Sequence, residues 1–274
     1  MAVSIQDIAK LRKMSGAGMM DCKKALEEAG SDFDKAMEII RKRGQAIAAK
    51  RSDRDAEEGC VLAAHNGGRA VIVGVKCETD FVAKNQEFVD MTKEILEIAM
   101  KNNFATKEEL LASPMADGRS VQDHITERSG VTGEKMELGM YNVVAGVSST
   151  SYIHPGNMLA SIVAFNEQVN EQVARDVAMQ IAAMNPVGIT EDDVPQEIKD
   201  RELEIARDKA RQAGKPENLL DRIAQGALQK YYQENTLLLQ SYIKDSSKTI
   251  KDFLSSESKT LAVTAFCRAN MNAE

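Results

Sequence analysis

The sequence predicts an α+β protein: an N-terminal three-helix bundle, a core of two related halves that each read as a β-hairpin followed by a helix, and a protruding antiparallel coiled-coil hairpin. Three observations carry that prediction. Glycines cut the first 50 residues into short segments with apolar residues at helical spacing. Two apolar runs around a turn, followed by a helical repeat, occur twice between Cys60 and Met184. Two charged helical segments with narrow Ala/Leu seams face each other across Gly214-Lys215-Pro216.

Taken in order, Ser4 caps a first helix in which Ile5, Ile8 and Leu11 share a face, and Gly16 and Gly18 break it. "MMDCKKALEEAG" resumes, with Cys22, Ala25 and Leu26 apolar and Gly30 as the stop. Asp32 caps a third helix carrying Phe33, Ala36, Met37 and Ile40, expected to end at Gly44. "KRSDRDAEEG" follows, dense in charge and without apolar anchors, so it reads as a linker. The expected units are a helical domain over residues 1–50 and a linker over 51–59.

The first core half is expected over 60–140. "CVLAAHNGGRAVIVGVKC" sets two apolar runs around Asn66-Gly67-Gly68, a hairpin turn that wants positive φ. A helix begins near Asn85, with Phe88, Met91, Ile95 and Ala99 on one face. Shorter helices are predicted at "TKEELLA" and "SVQDHITERSG". The second half repeats the pattern. "YNVVAGVSSTSYIHPGNMLASIVAF" reads as two strands around His154-Pro155-Gly156. Val169, Val173, Val177 and Ile181 then line a helix that stops at Asn185-Pro186.

The coiled-coil hairpin is placed over 190–232. Its seams read Leu203, Ala206, Ala210, Ala213 and Leu220, Ala224, Ala227, Tyr231, with Ala letting the backbones approach. Arms of ~18 residues are ~27 Å long. The apolar stripe is narrow, which favours projection over lying flat on the body. "SSKTIKDFL" is a short helix, and "TLAVTAFCRAN" alternates as a strand whose sheet partners lie earlier. The hairpin is therefore expected as an insertion into a second half made of 141–189 and 233–274.

Composition narrows the function. Only 4% of residues are aromatic, none is Trp, and the net charge is −7, a poor endowment for stacking bases or neutralising phosphates. No direct nucleic-acid contact is expected. No apolar run approaches the ~20 residues of a membrane span, and the start has no signal core, so a cytoplasmic protein is expected. The cysteines at 22, 60, 77 and 267 and the histidines at 65, 124 and 154 lack metal-ligand spacing; no metal or cofactor is expected, and the cysteines read as packed thiols. No phosphate loop, Rossmann glycine run, nucleophile elbow or zincin motif is present. The chain reads as a protein that acts by contact rather than as an enzyme. The alternative is a helical binding module joined to an unrecognised α+β enzyme, which predicts turnover of some small molecule.

Three places invite contact. In "CETDFVAKNQEF" a strand ends in Glu78-Thr79-Asp80 and then offers the bulky pair Phe81-Val82. Phe81 either plugs the sheet–helix junction or is displayed, and local sequence leaves both open. Met19-Met20 cannot both face one small core; exposure and packing against the third helix both remain open. His154 is a candidate base or a contact residue.

Two long stretches, "KMSGAGMMDCKKALEEAGSDFDKAMEIIRKRG" and "CETDFVAKNQEF", together resemble the bacterial translation elongation factor Ts family. "KPENLLDRIAQGALQKYY" and "SYIKDSSKTIKDFL" resemble its hairpin arm and the return to the core. The resemblance implies an N-terminal domain like ubiquitin-associated domains and a guanine-nucleotide exchange factor for elongation factor Tu. Such a factor binds the GDP form, promotes GDP release, holds the empty state and leaves when GTP binds. Thr79, Asp80, Phe81 and Val82 would enter the partner's nucleotide domain near its magnesium and phosphate site. Arg12, Met19 and Met20 would grip the same domain, and His154 lies in the half that touches the partner's third domain. Some members continue into a C-terminal helical module. This sequence stops at Glu274, so that contact is not expected.

Overall fold

The computed structural model describes residues 3–272. The Ser4 hydroxyl accepts a hydrogen bond from the Asp7 amide (3.0 Å) and starts α1 (Ile5–Ser15), which ends where Gly16 takes φ +67°. Helices α2 (Met19–Glu28) and α3 (Phe33–Lys50) follow, the latter capped by Asp32. Leu11, Cys22, Ala25, Leu26 and Ala36 are fully buried between them.

Contrary to the expected stop, α3 runs through Gly44 to Lys50. Gly44 lies against Gly130 of α7 (Val121–Thr132), and this tertiary contact overrides glycine's weak helix propensity. The charged stretch that follows is also tied down. Ala56 is buried, Arg51 bonds both carboxylate oxygens of Glu78 (2.9 and 3.0 Å), and Lys135 Nζ donates to the Arg54 carbonyl (3.0 Å).

Strands β1 (Glu58–Asn66) and β2 (Arg69–Cys77) pair antiparallel around Gly67-Gly68, the turn that Asn-Gly-Gly announces. β3 (Glu137–Ala145) adds to β2, giving a sheet of order β1-β2-β3. β4 (Ser148–Ile153), β5 (Leu159–Phe165) and β8 (Val263–Asn270) form a second sheet of order β4-β5-β8. The run from Tyr141 to Ile153 is thus two strands in two sheets, and β3 straddles the expected divide at residue 140. Gly146 explains the break. Its amide donates to the Gly68 carbonyl (2.8 Å), and a Cβ there would fall 2.5 Å from the Phe165 carbonyl oxygen, so the crossing between sheets admits no side chain.

Each sheet carries helices on one face. Small α4 (Asp80–Ala83), α5 (Gln86–Lys101), α6 (Lys107–Ala112) and α7 cover the first, burying Phe88, Ile95, Leu110 and Ile125 completely. α8 (Glu171–Met184) and α11 (Ile250–Glu257) cover the second, around Phe165, Val177, Ile181 and Ile250. Side chains alternate along the strands, so Cys60 and Leu62 join the first of these cores, whereas Val61 and Ala63 join a third, shared by both sheets with Ile72, Ala160 and Ile162. Hairpin followed by helix does occur twice.

Helices α9 (Gln196–Gln212) and α10 (Glu217–Asn235) form the antiparallel hairpin. Its seam departs from expectation. Ala206 and Ala210 are buried but Ala213 is exposed, and α10 turns Leu220, Ala224, Leu228 and Tyr232 inward, leaving Ala227 exposed and Tyr231 half-buried. Leu228 and Tyr232 have far more apolar area to bury than Ala227, and they cluster with Val194 at the base. The chain then returns through β6 (Ser241–Tyr242) and β7 (Asp245–Thr249). Asp176 of α8 anchors that return: it accepts hydrogen bonds from Tyr242 (2.6 Å), Lys244 (2.6 Å) and Gln172 (2.7 Å).

Candidate functional site

At the end of β2, Thr79 is extended (φ −127°, ψ 154°) and caps α4, a single helical turn. A capping residue alone would leave this turn loose. Here Glu134 grips it: the Thr79 amide donates to one carboxylate oxygen (3.0 Å) and the Thr79 hydroxyl to the other (2.6 Å). Glu78 is held in turn by Arg51 and by the Lys135 amide (2.6 Å). Cys77 donates its thiol to the Thr79 carbonyl (3.3 Å). Burial pushes that thiol up to about 12 and Cys60 up to about 11, so both are neutral packing groups; all four cysteines are free.

On this anchored turn Ala83 is buried and Val82 half-buried against the first-half core, while Phe81 is 84% exposed. The core plug is Phe88, not Phe81. The ring makes no contribution to the core and stays available to a partner. Asp80 stands beside it, paired with Lys84 (2.6 Å), whose hydrogen bond and charge hold the carboxyl below its ordinary range.

The N-terminal residues also face outward. Met19 and Met20 start α2 and are 45% and 62% exposed, since Cys22, Ala25 and Leu26 fill the small core instead. Arg12 is exposed on α1. His154 is exposed at the β4–β5 loop, its Nδ1 3.0 Å from the Tyr152 hydroxyl. Met14, 52% exposed, escaped notice in the sequence because it lies one turn beyond the apolar face of α1. Glu134 escaped it because it meets Thr79 across 55 residues of chain, with no local signal. Among the described residues no helix is long and apolar enough to cross a membrane, and no His/Cys/Asp/Glu group is placed to hold a metal.

An α+β core of two related halves, flanked by a helical unit and a helical hairpin and displaying apolar side chains on anchored turns, defines a contact-surface scaffold. The comparisons give the particular one. The family described as Elongation factor TS matches residues 78–273. An elongation factor Ts of Porphyromonas gingivalis is 67% identical over 274 residues, the whole of both chains. That of Azobacteroides pseudotrichonymphae is 54% identical over the whole of both. That of Bacteroides thetaiotaomicron is 58% identical over 77% of this chain and 64% of its own. The chain belongs to the elongation factor Ts family of translation elongation.

Proposed function

We propose that this protein is a guanine-nucleotide exchange factor for elongation factor Tu, acting in the cytoplasm by protein–protein contact without covalent chemistry. The observation that carries the reading is Phe81, 84% exposed on a turn that Glu134 holds in place. Family membership supports the choice of partner.

In this reading Thr79, Asp80, Phe81 and Val82 enter the partner's nucleotide domain beside its magnesium and phosphate site. Phe81 buries its ring in an apolar crevice open only when that site is disrupted. Asp80 arrives as an ion pair with Lys84 and holds a displaced partner group or repels phosphate. Arg12, Met19 and Met20 grip the same domain from the helical unit of residues 1–50, and His154 serves the second core half. The hairpin over 190–232 is an accessory insertion.

Linkage supplies the rest. Two ligands that bind one protein antagonistically weaken each other by the same factor. A factor that stabilises the empty form of its partner therefore weakens the hold on GDP and is itself weakened by GTP; in this reading the lost affinity appears as faster departure of GDP. The test is release of a fluorescent GDP analogue from the cognate elongation factor Tu. Acceleration in proportion to the concentration of this protein is expected; an unchanged release rate overturns the reading.

A further inference from the structure

We propose that α7 is a spacer that holds the Met19–Met20 corner and the Phe81 turn at one fixed separation, so that a single partner protein meets both at once, with Gly130 and Glu134 as its positioning residues. The inference rests on the exchange-factor reading above and adds how its two contact groups are coupled.

Gly130 and Gly44 make the central contact. A Cβ built on Gly130 would lie 2.0 Å from the Gly44 Cα, and one built on Gly44 would lie 3.3 Å from the Gly130 Cα. Neither glycine is among the positive-φ residues, and both sit inside helices, where alanine is the better helix former. Backbone conformation therefore does not ask for glycine at either place. The close approach of two helices does.

Other contacts flank the crossing. One turn earlier, Arg41 of α3 meets Glu127 of α7 at 3.6 Å, and Glu127 is also paired with Arg119. The α1–α2 turn makes a second seat: a Cβ on Gly16 would come within 3.2 Å of Arg128 Nη1 and 3.8 Å of Val131 Cγ1. Gly16 is three residues before Met19, and Arg128 is itself paired with Glu87 of α5.

The far end of α7 holds the other contact group. Gly133 closes the helix at φ +75°, and the next two residues are the ones that grip the turn: Glu134 takes Thr79 and the Lys135 amide takes Glu78. Glu78 is also bonded by Arg51, the residue that caps α3. The path α3, α7, Glu134, Thr79, Glu78, Arg51 returns to α3, so the two contact groups lie on a closed frame. A frame already ordered before binding lets the second contact form with little further loss of freedom.

The test is a double-mutant cycle on the full-length chain, read as acceleration of release of the GDP analogue from elongation factor Tu at sub-saturating concentration. Met20→Ala should weaken the wild type by about tenfold, the order expected for an interface anchor. In a Gly130→Ala background the same change should matter less than about twofold, because the methionines are already off register. Phe81→Ala should keep its full effect in that background. Gly44→Ala should fall between, following 3.3 Å against 2.0 Å, and carries the same cycle if Gly130→Ala does not fold. Loss of stability alone would lower the melting temperature and leave the Met20 factor intact. An equal Met20 factor in all three backgrounds overturns the spacer. A wild-type chain that releases no nucleotide overturns instead the exchange reading beneath it.

Discussion

Phe81 and Phe88 offer an internal comparison, one ring 84% exposed and the other fully buried, a single helix start apart. Phe81→Ala takes little from the free chain. The Thr79–Glu134 bonds do not involve the ring, alanine suits the helical turn, and a surface change away from special features shifts stability by at most about 0.5 kcal/mol. Phe88→Ala opens the first-half core and should cost about 3–5 kcal/mol, a fall of about 6–20 °C at 2–4 °C per kcal/mol. Binding reverses the ranking. Full burial of a phenylalanine side chain contributes about 1.5–3 kcal/mol. With 84% of the ring still available, the partner stands to gain about 1.3–2.5 kcal/mol, or about ten- to seventy-fold in affinity for its empty form. By linkage the same factor appears in how far this protein weakens the partner's hold on GDP at equilibrium, and the GDP-release rate at sub-saturating concentration should fall in the same direction. Stopped-flow release of the labelled nucleotide, paired with thermal melts of each variant, measures both quantities. If Phe81→Ala melts many degrees lower yet exchanges normally while folded, the ring is a structural plug and the wedge is refuted.

Glu134→Ala should unlock the turn, lowering exchange about three- to tenfold while costing about 1–3 kcal/mol of stability; urea midpoints and release rates check the two halves of that statement. Asp176→Ala should cost about 1–3 kcal/mol at neutral pH, because it strips Tyr242, Gln172 and Lys244 of a shared acceptor. Burial pushes the Asp176 carboxyl up, but hydrogen bonds from Lys244, Tyr242 and Gln172 outweigh it and hold the group below its ordinary range. A depressed folded-state value stabilises above the unfolded value of about 3.9 and is lost as pH falls through the folded one, so the gap between urea melts of variant and wild type should begin to narrow only below about pH 4 and keep narrowing as pH falls further. Replacing residues 205–225 by a short Gly/Ser loop should leave the fold and most exchange intact, since the apolar cluster of Val194, Leu228 and Tyr232 lies below the cut; aggregation of the trimmed protein would contradict this.

What could be read from the sequence was what local chemistry determines. Ser4 and Asp32 cap helices because their side-chain oxygens meet orphan amides a few residues on, and the Asn-Gly-Gly turn closes β1 on β2 for equally local reasons. The misreadings share one cause. Gly44 signals a stop and is overruled by Gly130, a helix distant in sequence. The strand after Tyr141 divides at Gly146 because two sheets cross there, which no alternation pattern announces. The hairpin seam shifted from Ala227 to Leu228 because its register is set by volume at the base rather than by heptad spacing. In the candidate site, a bulky pair after a strand and two methionines at a glycine corner stand out in the sequence without deciding between display and packing; the structure exposes Phe81, Met19 and Met20 and half-buries Val82. The residues that hold them, Glu134 above all, do not stand out, since a single carboxylate has no periodicity.

The pairing of β5 with β8 joins segments ~100 residues apart, and a chain made from its N-terminus at about 5–20 residues per second needs about 5–20 s to span that gap. Through that interval β5, reading Leu-Ala-Ser-Ile-Val-Ala-Phe, has β4 on one side and an unsatisfied row of amides and carbonyls on the other. An apolar open edge of this kind is a template for the wrong neighbour, including the β5 of another nascent chain on the same message. The long insertion between the two strands thus sets a clock on biosynthesis: the second half completes its sheet only after α9 and α10 have been made.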